Sequence, residues 1–173
     1  IKHAVPATYN GTPVCSSISH LTVDFETVLK EGVNSIKIKA EEAYEKYRTT
    51  EKEAFAKSCL NCLEALEIWH ARYLKALEVL PEYKDNYENL KRVPFEPATN
   101  FYEAVQSLWF TFAFIRLCGN WPGIGRIDYL LGNYLKKDLE NGTLSLNEAR
   151  EILAHFFIKG CEWVNGQFIG SGD

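Results

Sequence analysis

A mainly helical chain with one or two short strands is the fold class that this sequence predicts, and three observations predict it. The most apolar run, Phe101 to Leu117, is broken by strongly polar groups only at Glu103, Gln106, Ser107, Thr111 and Arg116. Glu103, Ser107 and Thr111 recur at i, i+4 and i+8, which draws one narrow polar stripe along a helix that is otherwise apolar all round. Capping-type pairs stand ahead of apolar residues at three- and four-residue steps: Asn100 with Glu103, Thr50 with Glu53, and Ser145 with Glu148. Against this, one stretch alternates in the manner of a strand, His20 to Phe25. A membrane span needs about 20 apolar residues. The central run is shorter, and a glutamate near one end and an arginine near the other make it a deeply buried helix instead.

Taken in order, residues 1–18 read as irregular, with Pro6, Gly11 and Pro13 as breakers. His20 to Phe25 reads as a short strand or extended segment. A helical turn or two follows from Phe25 to Lys30, ending at Gly32. Ile36 to Tyr47 is a predicted helix. The Thr50–Glu53 box opens a long one to about Leu80, with Phe55, Leu63, Leu66, Trp69, Tyr73, Leu77 and Leu80 on its apolar face. Pro81 stops it. A short charged helix spans about Tyr83 to Leu90, and Pro94 and Pro97 set an extended approach to the central helix. Gly119, Pro122, Gly123 and Gly125 forbid that helix's continuation. Beyond them, Ile127, Leu130, Leu131, Tyr134, Leu135 and Leu139 mark one face of a helix closed by Asn141-Gly142, with Lys136, Lys137 and Asp138 pointing away. Ser145 and Glu148 cap the next helix, whose buried face is Ile152, Leu153, Phe156, Phe157 and Cys161, and which Gly160 can end early. Gln167 to Gly170 could begin a strand.

The 173 residues suit one domain with a sizeable core. A formal net charge of -4 is no footprint for nucleic acid or an anionic membrane. Ile1 to Asn10 lacks the apolar core of a signal peptide. Five cysteines, an odd number at uneven spacing, argue against a secreted disulfide framework and for reduced thiols in a cytoplasm. Cys59-x-x-Cys62 sits in a helical pattern with no second pair and no close histidine, so it reads as two packed thiols and not as a metal or redox site. The absence of Met and the abrupt Gly-Ser-Gly-Asp ending suggest a fragment or omitted residues.

Alone, the motifs support only a mostly helical domain. The glycines after the central helix miss the dinucleotide-binding spacing and follow no strand. His3, His20, His70 and His155 are scattered, with no metal-binding pair and no defensible Ser-His-Asp order.

A set of longer motifs changes the reading. Pro97, Ala98, Phe101, Glu103, Ala104, Gln106, Trp109 and Phe110, then Gly125, Arg126 and Asp128, resemble the P-A-x-x-F-x-E-A-x-Q-x-x-W-F block and G-R-x-D turn of the glycyl radical enzymes. That family comprises pyruvate formate-lyase and its diol-dehydratase and choline-lyase relatives. Ser19 to Leu29 looks like the dehydratase-branch G-H-x-T-x-D-Y-x-x-V-L segment. Asn141 to Ala149 looks like the family's D-G-x-(I/L)-T-x-E-E-A turn. Phe168 to Asp173 looks like the entry to its next barrel strand. Four weak motifs in the family's order, over about Ser19 to Asp173, make a fairly specific signal, nearer the dehydratase and lyase branch than pyruvate formate-lyase itself.

The resemblance implies a ten-stranded α/β barrel, of which residues 1–173 are an N-terminal-side portion lacking the catalytic Cys loop and the glycyl radical domain. In such enzymes a glycyl radical reaches a Cys thiyl at the barrel's centre, which abstracts hydrogen from an unactivated substrate carbon. Cys62-Leu-Glu64 matches the family's Cys-x-Glu by spelling only, since it lies upstream of the central helix. No catalytic residue and no cofactor is therefore expected in this chain, and the chain alone is expected to be inactive.

The substrate-binding residues implied are His20, Asn120 and Trp121. His20 takes the position at which dehydratases carry a His near the substrate's polar groups, where it can hydrogen-bond a hydroxyl and help protonate it as water leaves. The simpler role is a structural His at a strand end. Asp24 reads as a helix cap. Asn120 and Trp121 fall where dehydratases carry a His-Ser pair. Losing those two hydroxyl partners argues against glycerol or propanediol, and Trp121 adds a wall suited to an amine, a ring or a bulkier alcohol unless it merely packs beside the turn. Arg126 and Asp128 read as a structural pair holding the turn, and Glu103 and Gln106 as partners of buried backbone or turn groups.

The whole implies radical dehydration or C–X/C–C cleavage of a small polar substrate. It also implies homodimers, an anaerobe's cytoplasm and a radical S-adenosylmethionine activating enzyme as partner. The alternative is a non-catalytic helical scaffold or interaction module that keeps the family's frame.

Overall fold

The computed structural model describes residues 22–117 and 122–160 in full, and the backbone of 8–9 and 12–13. Six helices dominate: α1 Phe25–Tyr47, α2 Glu53–Glu78, α3 Lys84–Arg92, α4 Phe101–Arg116, α5 Ile127–Glu140 and α6 Leu146–Gly160, with a 3-10 turn at Pro81–Tyr83. Two two-residue strands, β1 Thr8–Tyr9 and β2 Thr12–Pro13, pair antiparallel. The irregular reading of residues 1–18 thus missed a small hairpin, although Asn10-Gly11 is the dipeptide that two-residue hairpin loops favour. The extended segment expected from His20 reduces, among the described residues, to one parallel bridge between Thr22 and Gly123. His20 itself, Cys161 and the expected strand at Gln167 to Gly170 lie outside the described residues.

Helix α4 is the centre. None of its residues is exposed, and its polar stripe goes inside with it: Glu103, Ser107 and Thr111 are 6%, 0% and 7% exposed. The two sides of α4 serve two apolar clusters. Phe101, Ala104, Val105, Leu108 and Phe112 pack with Phe25, Leu29, Val93, Leu131, Ala149 and Phe156. Phe110 packs with Val28, Val33, Leu66 and Leu90, and Trp69 lies 4.3 Å from its ring centre. Among the described residues, buried Ser107 Oγ and Thr111 Oγ1 have no hydrogen-bond partner, at a cost of about 1–3 kcal/mol each.

A buried helix start must find partners for its first N–H groups. Asn100 Oδ1 accepts from the Glu103 N–H at 2.8 Å, as its spacing predicts. Asp138 Oδ2 accepts from the Phe101 N–H at 2.7 Å. That contact corrects one expectation, because Asp138 faces inward from α5 and is 8% exposed. The α5 periodicity marks Asp138 as solvent-facing, but the positive end of α4 holds a carboxylate there. Lys137 donates to the Thr99 carbonyl beside it, at 3.1 Å.

Helix α1 breaks where Gly32 was expected to end it. Gly32 has φ +76°, and the helix resumes beyond it in the same run. The break opens backbone groups for the turn before α4. Val33 N–H donates to the Pro94 carbonyl (2.9 Å), Asn34 N–H to that of Phe95 (3.2 Å), and Ala98 N–H to that of Leu29 (3.0 Å). Instead of an extended approach, this turn has a cis Val93–Pro94 peptide and closes with Glu96 N–H on the Arg92 carbonyl at 2.8 Å.

The Thr50–Glu53 box is a second correction. Glu53 accepts from the Thr49 N–H at 2.8 Å, and the Thr50 hydroxyl donates to the Tyr47 carbonyl at 2.6 Å. Thr49, at φ +62°, turns the chain so that α2 starts at Glu53 and runs back along α1. Phe55 is 74% exposed, so it does not join the α2 core face, which is built on Leu66 with Leu63, Trp69 and Leu77. Cys62 is exposed and not packed. On α6, Ser145 and Glu148 form the expected reciprocal cap (2.7 and 3.2 Å), but Phe157 is 56% exposed while Ala149 and Phe156 carry the packing.

His70, buried on α2, holds α3 by donating from Nε2 to the Leu90 carbonyl at 2.7 Å, with its ring edge-on to Phe95. Burial holds its pKa below the ordinary 6.5, while the Leu90 bond pulls more weakly upward.

Two outcomes follow from this packing. A Cβ at Gly32 would stand 2.2 Å from the Phe95 carbonyl oxygen, so Gly32→Ala should lower stability by at least about 2 kcal/mol, read by urea unfolding. Neutral His70 contributes stability that is complete above pH 6.5. It is lost as pH falls from there through the lower folded-state value, because only the unfolded chain takes up the proton readily. Stability measured against pH should fall in that window, and His70→Gln should flatten the fall.

Candidate functional site

The sequence places its substrate-contact candidates beside two segments: the run into α1, and the Gly-rich turn between α4 and α5. His20, Asn120 and Trp121 lie outside the described residues. Their flanks are described, and the structure joins them through the Thr22–Gly123 parallel bridge.

Each flank is anchored. Asp24 caps α1, taking the Thr27 N–H at 3.1 Å and the Thr27 hydroxyl at 2.6 Å, and these bonds hold its carboxyl below the usual range. One residue later Phe25 is 1% exposed in the core. On the other flank Pro122 is buried, and Ile124 and Ile127 pack against the same cluster as Phe25. Tyr129 Oη donates to Glu26 Oε1 at 3.0 Å, tying the first turns of α5 and α1.

Arg126 and Asp128 pair with each other through two bonds, Nε–Oδ1 at 2.8 Å and Nη2–Oδ2 at 2.6 Å. Both are largely exposed. The guanidinium holds the Asp128 carboxyl down at about 2, against its ordinary 3.8.

Glu103 lies elsewhere. Its carboxylate takes Arg92 Nε at 3.0 Å, and the Thr99 N–H and hydroxyl at 2.7 and 2.8 Å. It therefore braces the turn before α4. At 1.5 Å per residue it is about 20 Å from the far end of that helix, where the Gly-rich turn begins. Gln106 accepts from Asn89 of α3. Near the far end sits the arginine whose charge argued against a membrane span. Arg116 is 7% exposed, lies 5.4 Å over the Phe112 ring and donates to the Gly160 carbonyl at 3.4 Å. Burial lowers its pKa. No pattern in the sequence marks Arg116 or Asp138 as buried, since each is a charge at a helix position whose partner is remote in the chain.

Among the described residues no three His, Cys, Asp or Glu side chains converge as a metal site. Cys62 lies exposed within α2. No helix there is long and apolar enough to cross a membrane.

The family model described as pyruvate formate lyase-like matches residues 4–167. This chain belongs to the pyruvate formate lyase-like family of glycyl radical enzymes. Isethionate sulfite-lyase of Oleidesulfovibrio alaskensis is 34% identical over 163 residues, 82% of this chain and 19% of that protein. Indoleacetate decarboxylase of Tractidigestivibacter scatoligenes is 33% identical over 120 residues, 63% of this chain and 14% of that protein. A solved structure reported under 1,2-propanediol dehydration in Roseburia inulinivorans aligns with TM-score 0.74 and 29% identity, covering 83% of this chain and 20% of that one. The chain thus spans about a fifth of the length of the relatives it matches. Family membership agrees with the motif order read from the sequence. The helices seen here match part of a glycyl radical enzyme fold.

The Arg126–Asp128 pair gives a pH outcome. An NMR titration should place the Asp128 midpoint near 2, and Arg126→Gln should return it toward 3.8. A depressed carboxyl stabilises above its unfolded value, so the pair's contribution is present above about pH 4 and lost as pH falls toward 2.

Proposed function

We propose that this chain is the N-terminal-side part of a glycyl radical enzyme that dehydrates a small polar substrate or cleaves a C–X or C–C bond in it. It contributes helical scaffold and one wall of the substrate pocket. The reading rests on the family match across residues 4–167. The activities named for its relatives, sulfite release from isethionate, decarboxylation of indoleacetate and dehydration of 1,2-propanediol, span that range of bond cleavages. Hydrogen abstraction is supplied from parts of the protein beyond this chain.

In this reading His20, Asn120 and Trp121 face the substrate. His20 hydrogen-bonds a polar group and protonates it as it leaves; Trp121 forms an apolar wall that keeps water out. What supports their sharing one pocket is chain position: His20 is two residues before Thr22 and Trp121 two before Gly123, and those two residues are bridged. Arg126 and Asp128 hold the turn, and Glu103 holds the opposite end of α4. The protein acts as a homodimer in an anaerobe's cytoplasm, charged by a radical S-adenosylmethionine activating enzyme.

The test is anaerobic activation of the full-length protein, with the radical counted by electron paramagnetic resonance and turnover assayed on isethionate, indoleacetate, 1,2-propanediol and a panel of small amines and alcohols. A radical and turnover of a small polar compound are expected, with none from residues 1–173 alone. His20→Ala should cut kcat/KM by about a hundredfold or more at unchanged radical yield. Absence of a radical would refute the enzyme reading, and undiminished turnover in the variant would remove His20 from the pocket.

A further inference from the structure

We infer that Thr22, Gly123 and Gly125 are a positioning clamp that sets the separation of the two pocket-wall segments; the inference rests on the pocket reading above. Three observations carry it. The first is the parallel bridge between Thr22 and Gly123, which joins segments 101 positions apart in the chain. Among the described residues it is the only β pairing outside the β1–β2 hairpin. The second is Gly125. Its φ is +79°, in the left-handed region that disfavours a side chain, and a Cβ there would stand 3.1 Å from Thr22 Cγ2. The Thr22 methyl therefore already fills the space against the turn. The third is that the clamp is mounted on rigid supports. Phe25 and Leu29 hold the α1 side in the core, Leu131 holds the α5 side, and the Tyr129–Glu26 hydrogen bond closes the join.

Neither Thr22 nor Gly125 needs this arrangement for the core, because both are exposed. Removing the contact leaves the helix packing in place. What changes is how closely the run after His20 approaches the turn after Trp121. A substrate held between groups on the two segments senses that spacing directly, since misplacement by about 1 Å is enough to cost up to about a hundredfold in rate. Gly125 in the Gly-Arg-x-Asp turn is thus constrained by close approach to a second segment, a requirement separate from the Arg126–Asp128 pair.

The test uses the activated full-length protein and two readouts. Hydrogen exchange at the amides of Thr22 to Asp24 and Gly123 to Gly125 needs no substrate. Gly125→Ala should raise exchange at both sites by about tenfold or more. Adding Thr22→Ser, which removes the opposing methyl, should restore protection in part, and adding Thr22→Val, which keeps a methyl there, should not. Gly125→Asn, which tolerates positive φ while adding a Cβ, repeats the test if the alanine variant does not fold. The second readout is kinetics on the compound turned over in the panel above. kcat/KM should fall by about tenfold with the radical yield unchanged, and Thr22→Ser should recover it. Unchanged exchange in both Gly125 variants overturns the clamp. Raised exchange with unchanged kcat/KM also overturns it as a positioning device. Failure of the pocket reading appears separately, as undiminished turnover in His20→Ala.

Discussion

The central helix α4, with ten of its sixteen residues buried and none exposed, sets the terms for everything around it. Each of its inward polar groups must be met by another element or left at a cost. Its N-terminus draws Asn100 from its own flank and Asp138 from α5, and its first turn places Glu103 against Arg92 and Thr99. These contacts tie α3, the turn before α4, and α5 to one point. Further along, Ser107 and Thr111 are buried without partners among the described residues, and the packing on either side outweighs that cost.

The second constraint is the break in α1. A helix that continued through residue 32 would close its own backbone bonds and offer none to residues 94–98. Gly32 interrupts it, and the freed groups hold the chain that delivers α4. The close approach of the Phe95 carbonyl leaves no room for a Cβ. Glycine is required here by proximity as much as by φ. Before the break α1 serves α4 and α5; beyond it, α1 runs alongside α2, with Lys37 paired to Glu67.

The candidate site lies where α4 stops. The turn that follows passes the start of α1 and bridges it, so residues far apart in sequence come to share one location. Core residues fix both sides of the bridge, a mounting of the kind on which rigid scaffolds carry reactive loops. A relative can thus keep the scaffold and change the side chains beside the turn, which fits the different compounds named for proteins that share this family.

Much of this was legible from local pattern. The apolar run with its polar stripe identified α4, and Asn100 and Ser145 marked helix starts correctly, because a cap acts over three residues. The motif order identified the family. Local pattern misled where a remote partner decided the outcome. Asp138 follows the solvent side of α5 by periodicity, yet an N–H on another helix draws it in. Phe55 and Phe157 follow apolar steps, yet no described element covers them. Thr50 and Glu53 have the spacing of a box, yet the positive φ of Thr49 moved the helix start. By itself the sequence determined which segments are helical, which one lies deepest and to which family the chain belongs, because these follow from neighbours a few residues away. Only the tertiary structure decided which charges are buried, why Gly32 has no room for a side chain, how closely Thr22 approaches Gly125, and that Thr22 meets Gly123, because those facts depend on the distance between segments that the chain itself leaves free.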